Sequence, residues 1–276
     1  MGGGNSNADL QGLLTIIQPV ELSAALLDPI RRKFPNLEIE QHAPPSKPPT
    51  DARHPTIAAS TFARTTILYT MSALPANPAV EAPHLRWVHF STAGTDGFAQ
   101  HPIYTDSDAI LTTSSGVHGP QIGEWVMMTA LVQSHAYNTL RALQQKHEWS
   151  PQARYLHATR DMVGQRVGIL GYGSIGRQVA RLAQAMGSTV VAYTASPKDT
   201  KTSRRDPGYV VPGTGDPDGD IPEEWFSGLD KEGLHQFLGQ DLDMVVVSLP
   251  LTSVLDIMDR RERPHGMTVG TVLTFS

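Results

Sequence analysis

Three glycines, Gly171, Gly173 and Gly176, are the residues whose type and spacing speak most directly of chemistry. They stand in VGILGYGSIGRQVARLAQAMGS, Val167 to Ser188. A Gly-x-Gly-x-x-Gly turn between an apolar run and a helical pattern is a cradle for a pyrophosphate. The first glycine permits the sharp turn, the second lets backbone approach the phosphates, and the third lets the helix pack close to the strand. The helix N-terminus then brings N–H groups and a positive partial charge. Tyr172, Ser174 and Ile175 complete the turn and are read with the glycines as cofactor contacts. A glycine turn without a ligand is the alternative. The strand RVGIL before it, and the stripe Ile175, Val179, Leu182 and Met186 behind it with Gly187 as C-cap, favour dinucleotide binding.

An NAD site commonly carries Asp or Glu at the end of the next strand, about 20 residues on, to hold the ribose hydroxyls. Here that position reads Tyr193-Thr194-Ala195-Ser196-Pro197-Lys198, without a carboxylate, and Lys201, Arg204 and Arg205 follow. Thr194, Ser196 and Lys198 are therefore cofactor candidates, and the cations suit a 2′-phosphate. They read equally well as a solvated loop face. The cofactor is NADP or NAD, with NADP favoured.

The elements that must position this turn alternate between strand and helix. LLTIIQ (Leu13–Gln18), NLEIE, TTILYTM (Thr65–Met71), LRWVHF (Leu85–Phe90) and AILTTS (Ala109–Ser114) read as strands. ELSAALLDPIRRKF carries helical spacing at Leu22, Leu26 and Ile30. The prolines of HAPPSKPPTDARHP interrupt regular structure. Such alternation predicts an α/β fold with parallel sheets covered on both faces. A long helix from Pro120, with a stripe at Ile122, Trp125, Val126 and Thr129 continuing to Leu143, leads into the second unit. STVVAYT (Ser188–Thr194) and DMVVVSLP (Asp243–Pro250) are later strands, separated by DPGYVVPGTGDPDGDIPEEWFSG, read as a long surface loop. The expected domains are 1–118 and 119–276.

Composition narrows the function classes. A formal charge of −5 over 276 residues argues against nucleic acid, which needs clustered cations. Without cysteine there is no disulfide scaffold, thiolate zinc site or thiol nucleophile, and no metal site is read. No apolar run is long enough for a bilayer. Gly2 and Ser6 fit the loose myristoylation pattern, but no basic cluster follows, so a flexible start is favoured, with no membrane partner and a cytoplasmic location.

The same elements resemble the D-isomer-specific 2-hydroxyacid dehydrogenases, as found in glyoxylate and hydroxypyruvate reductases. LRWVHFSTAGTDGF is similar to a family strand followed by a Gly-x-Asp loop, and SGVHGPQIGEWVMMTAL to its domain-crossing helix. VGILGYGSIGRQVARLAQAMG is similar to its nucleotide turn, and VVVSLPLT to the cofactor-lining strand and loop. The resemblance implies two parallel-sheet domains, Rossmann-like and flavodoxin-like, with a cleft between them. It implies an oxidoreductase moving hydride between a nicotinamide and a small 2-oxo or 2-hydroxy acid. A homodimer is expected of the folded chain, with the long helix from Pro120 as hinge and part of the subunit contact. The resemblance places Ser72 and Ala73 in the loop that presents backbone N–H groups to the substrate carboxylate, with Thr95 and Asp96 bracing the neighbouring wall. Without it those residues read as plain turns. Leu249 and Pro250 would line the cofactor, and His118 matches a cofactor-side contact, although a capping or hinge histidine is the simpler reading. Glu124 complements a helix N-terminus.

The family's Arg, Glu and His, which orient the substrate and deliver a proton, have no counterpart before Ser276. No catalytic residue is therefore assigned, and no role passes to Arg260, Arg261, Arg263 or His265. TVGTVLTF suits a fifth strand's place. The expectation is an incomplete second domain with truncated or altered C-terminus, an apolar edge at the VVV strand or its neighbour, marginal stability and impaired turnover. A non-catalytic dinucleotide-binding or sensing module is the competing class.

Overall fold

The computed structural model describes residues 10–43, 58–94, 97–149, 159–249 and 272–274. The expectations for Gly2, Ser6, Thr95, Asp96 and Pro250 lie outside the described residues. The chain divides into two compact units, Met1–Ser114 and Ser115–Ser276.

The first unit holds a five-stranded parallel sheet of β1 (Gly12–Ile17), β2 (Leu37–His42), β3 (Thr65–Thr70), β4 (Trp87–Phe90) and β5 (Ile110–Thr113), in the order β2-β1-β3-β4-β5. Apolar residues run consecutively along β1 because both faces are covered: Leu13, Leu14, Ile16 and Ile17 are all buried. On one face Leu68, Val88 and Phe90 pack with Phe62 of α2 (Ala59–Phe62) and Ile103 of α4 (Pro102–Thr105), the short α3 (Pro78–Glu81) lying between β3 and β4 in the chain. Each such side chain contributes about 1.5–3 kcal/mol by leaving water. On the other face Leu14, Ile16 and Ile67 pack against α1 (Ala24–Lys33). The expected stripe of α1 needs correction. Leu27, not Leu26, is its buried anchor, and Leu26 faces solvent. The strand order reverses between β1 and β3, so the crevice outside their carboxyl ends is where such a sheet takes a ligand. Ser72 and Ala73 leave β3 beside that point.

The second unit opens with α5 (Gly119–Ser134) and α6 (Tyr137–Gln145), where one continuous helix was expected. Ala136 adopts a left-handed φ of 49°, and the amides of His135 and Ala136 close the turn on the Leu131 and Gln133 carbonyls. The buried face of α5 carries Gly119, Gly123, Val126, Met127 and Ala130, while Trp125 is exposed.

Its sheet contains β6 (Arg166–Leu170), β7 (Thr189–Thr194), β8 (Glu224–Ser227), β9 (Met244–Val247) and β10 (Val272–Thr274), in the order β10-β9-β6-β7-β8. All pairs are parallel. Numbered within the unit this is 3-2-1-4-5, the doubly wound dinucleotide arrangement, with its switch point between β6 and β9. One expectation is met and one changes. Val272–Thr274 of TVGTVLTF forms a fifth strand, so the VVV strand β9 is paired on both sides and its neighbour β10 is the edge. The segment read as one long loop ends in a strand, β8, because Trp225 and Phe226 pack onto the sheet's two faces.

The helix α7 (Ser174–Ala185) presses Val179, Ala180 and Ala183 onto Val167, Ile169 and Val190. Leu170, Val191 and Val245 cover the other face with Phe237 of α9 (Lys231–Leu238), and the single turn α8 (Lys201–Arg204) follows β7 in the chain. Gly187, at φ 84°, ends α7: its amide donates to Gln184 and that of Ser188 to Ala183. This pair of bonds, with glycine in the left-handed position, satisfies carbonyls the helix end leaves open.

Candidate dinucleotide site

The glycine turn joins β6 to α7 at the carboxyl end of the sheet, beside the switch point. Gly171 has φ 99°, a conformation L side chains rarely adopt, and a Cβ there would stand 2.8 Å from the Ser248 carbonyl oxygen. Ser248, one residue beyond β9, locks the turn from the neighbouring strand: its amide donates to Leu170 O (2.9 Å) and its hydroxyl to Gly171 O (2.6 Å). Gly176 sits against the Gly171 carbonyl, and a Cβ would lie 2.9 Å from Ile169 Cγ2. That closeness brings the first turn of α7 onto β6. Gly173 differs from both: a Cβ there would meet nothing within 4 Å.

Gly173 is also the N-cap of α7, so no side-chain oxygen satisfies the first amides, and no acid stands in the first turn. The helix dipole and its leading N–H groups at Ser174 and Ile175 are thus left to an external anion. These residues fit a pyrophosphate: the cradle is open where backbone must approach it and closed where helix must touch strand.

The other expected cofactor residues occupy several settings. Leu249 is half-buried and packs against the β9 side of the sheet, next to Gly171. Thr194 ends β7 and its hydroxyl donates to Ser196 O at 2.8 Å, curling the chain at the expected ribose position. Lys198 follows without an ion pair among the described residues. Arg204 is committed elsewhere, since its Nε donates to Lys198 O (2.8 Å) and its guanidinium covers the Trp225 ring at 5.6 Å. Arg205 pairs with Asp218 at 3.0 Å. His118 caps α5 without a side-chain bond to a helix amide, and its Nδ1 lies 2.6 Å from Gln121 Nε2. Tyr172 turns inward. Its ring is buried, its hydroxyl donates to Asp216 Oδ2 (2.7 Å), and Trp225 meets it edge-on at 4.9 Å. Burial and the adjacent Asp216 carboxylate push its phenol far above the usual range.

In the first unit, the Ala73 methyl is buried and its amide donates to Thr70 Oγ1 at 2.9 Å. Ser72 is half-buried at the same turn. Next to it on the sheet, His89 is held between Thr112 Oγ1 (2.8 Å from Nδ1) and Ser114 Oγ (3.1 Å from Nε2), and stacks on Tyr69. Ser114 Oγ donates its proton to Phe90 O (3.1 Å) and so accepts from His89 Nε2–H, which leaves Nδ1 to accept from the Thr112 hydroxyl; Thr112 Oγ1 also accepts the Trp87 indole N–H (2.7 Å). Burial lowers the imidazole's pKa. Among the described residues no group of three His, Cys, Asp or Glu could hold a metal ion, and no helix is long and apolar enough to cross a membrane.

Sequence reasoning missed Arg177, Gln178 and Asp216, all buried around the glycine turn. The one available signal was Arg-Gln directly after Gly176, polar residues where α7 first meets the unit's interior.

Residues 126–211 match the NAD binding domain of the D-isomer specific 2-hydroxyacid dehydrogenases. The family resemblance is borne out. A D-isomer specific 2-hydroxyacid dehydrogenase family protein from Aeromonas salmonicida subsp. salmonicida superimposes with a TM-score of 0.58 at 22% identity, over 88% of this chain and 64% of that one. A D-isomer specific 2-hydroxyacid dehydrogenase from Xanthobacter autotrophicus, in complex with NADPH and MES, gives 0.58 at 20% identity over 88% and 65%. An NADPH-dependent glyoxylate/hydroxypyruvate reductase from Sinorhizobium meliloti, with NADP and sulfate, gives 0.56 at 22% identity over 88% and 63%. These solved structures share the fold. The chain spans just under two thirds of their length.

Proposed function

We propose that the chain serves an NAD(P)-dependent oxidoreductase of the D-2-hydroxyacid dehydrogenase type, with the second unit holding the dinucleotide. The observation that carries this is the glycine turn: Gly171 strained, Gly176 in contact, Gly173 open, all at the switch point of a 3-2-1-4-5 sheet. Amides of the turn and of Ser174 and Ile175 bind the pyrophosphate. Thr194, Ser196 and Lys198 meet the ribose, and Leu249 flanks the turn. A bound nicotinamide supplies the hydride for the carbonyl carbon of a small 2-oxo acid, or accepts it from the 2-hydroxy acid. The carboxylate of that acid is assigned to the turn at Ser72, beside the first sheet's switch point. His118 is a positioning group at the mouth of α5.

NADP is the preferred coenzyme on this reading. The end of β7 carries no acid to repel a 2′-phosphate, and Lys198 stands there without an ion pair among the described residues. The S. meliloti reductase and the X. autotrophicus dehydrogenase were each solved with a phosphorylated coenzyme, which supports the same choice. A homodimer is favoured by exposed Trp125 and Met128 on α5 with Tyr137 and Leu140 on α6, an apolar stripe of the kind that marks an interface.

A non-catalytic dinucleotide-binding module is favoured by one feature: the Ala73 amide already serves Thr70 instead of facing a carboxylate. Oxidation of NADPH and NADH by the full chain with a panel of 2-oxo acids separates the readings. Turnover supports the enzyme; tight coenzyme binding without turnover on any acid supports the module. Tenfold tighter NADH than NADPH in a titration overturns the coenzyme choice.

A further inference from the structure

The segment from Asp206 to Ile221, rich in glycine, proline and aspartate, is held by the residues that form the glycine turn and its helix. Asp216 is the centre. Its carboxylate is buried and accepts four hydrogen bonds: the Tyr172 hydroxyl (2.7 Å) and the amides of Gly219, Asp220 and Ile221 (3.1 Å each). Its backbone carbonyl accepts from Arg177 Nη1 at 2.5 Å, while Arg177 Nη2 reaches Arg204 O (2.6 Å) and Nε faces Asp206 at 3.4 Å. The same guanidinium lies 5.0 Å from the Tyr172 ring centroid. Gln178 Oε1, buried on the next position of α7, accepts the Gly215 amide at 2.6 Å.

Tyr172 is the residue between Gly171 and Gly173, so its side chain and the phosphate-facing amides share one short backbone. A buried carboxylate with four donors is strongly held, and a hydrogen bond to a charged acceptor is worth more than a neutral one. With its ring buried against Trp225 and Arg177, the tyrosine hydroxyl ties the backbone at position 172, and with it the neighbouring amides at Gly173 and Ser174, to the Asp216 carboxylate.

We infer that Asp216 and Tyr172 are positioning residues for the coenzyme: the Asp206–Ile221 segment is a clamp that fixes the glycine turn in its phosphate-binding shape. This rests on the dinucleotide reading above. By linkage the coupling is reciprocal, so coenzyme must also steady the clamp.

The test uses the full chain, wild type and Tyr172→Phe, which keeps the ring against Trp225 and Arg177 and removes only the hydroxyl. NADPH and NADH affinities are measured by calorimetry, and hydrogen exchange is followed at the amides of Gly219, Asp220 and Ile221. Expected is an affinity about fivefold weaker in Tyr172→Phe, with coenzyme slowing those three amides in the wild type but not in the variant. A merely structural tyrosine lowers the melting temperature and leaves both readouts unchanged; that result overturns the inference while the dinucleotide reading stands. Wild-type exchange at the three amides unmoved by saturating coenzyme overturns it as well, even if the variant does not fold. A wild type that binds neither coenzyme overturns the dinucleotide reading and this inference with it.

Discussion

Replacing Gly173 by alanine separates the cost to the fold from the cost to the ligand. The residue has φ −88° and ψ −162°, extended backbone that alanine adopts without strain, and its new Cβ meets no atom within 4 Å. Fixing a glycine's freedom in the unfolded chain is worth about 0.4–1 kcal/mol, so stability should hold or rise slightly. The methyl group instead enters the space left for a pyrophosphate. Overpacking of a close contact costs about 1–3 kcal/mol, which is roughly 5- to 150-fold in affinity. Thermal unfolding and NADPH calorimetry on one preparation give both quantities. Gly176→Ala supplies the opposite case: its Cβ runs into the Gly171 carbonyl and stands 2.9 Å from Ile169 Cγ2, so α7 must lift from β6. A loss of about 1–3 kcal/mol there lowers the melting temperature by several degrees. Gly173→Ala binding NADPH as tightly as wild type would refute the claim that backbone meets phosphate at this position.

Other expected outcomes follow from the same structure. His89 has a pKa lowered from 6.5 by burial, so the unfolded chain takes up the proton first as pH falls. Stability of the first unit therefore declines from pH 6.5 downward and is level above it, and His89→Gln flattens that decline in urea titrations run at several pH values. Asp230→Ala removes the N-cap of α9, whose carboxylate accepts the Gly233 amide at 2.8 Å, and should cost about 1 kcal/mol in denaturant unfolding. Trp125→Glu places a charge in the exposed stripe of α5 and should convert a dimer to a monomer by light scattering at unchanged melting temperature; a dimer that persists removes α5 from the interface.

Much of the architecture was legible because local pattern and tertiary need coincide. An apolar run such as LLTIIQ reads as a buried strand and is β1, and the glycine turn declares its own strand and helix. Legibility failed where distant contacts decide. The stripe continuing from α5 to Leu143 hid the break at Ala136, because no glycine or proline marks it. In α1, Leu26 and Leu27 are equal to a periodicity count, and only the sheet beneath selects Leu27. The strand β8 is four residues long and follows a loop-like composition, so its pairing with β7 is visible only in space. Asp216 has no sequence signature at all: an aspartate in a Gly/Pro/Asp run is ordinarily solvated, and what buries it are donors from Tyr172 and Arg177, 44 and 39 residues away.

Each sheet is drawn from one uninterrupted stretch of chain, and this has a consequence for biosynthesis. All five strands of the first lie between Gly12 and Thr113, ahead of the glycine turn at Gly171. At translation rates of about 5–20 residues per second, that half has several seconds outside the ribosome before the nucleotide half is made. Its aromatic and aliphatic interior can close while most of the second half is still unmade, which shortens the time for which the two hydrophobic surfaces are exposed together.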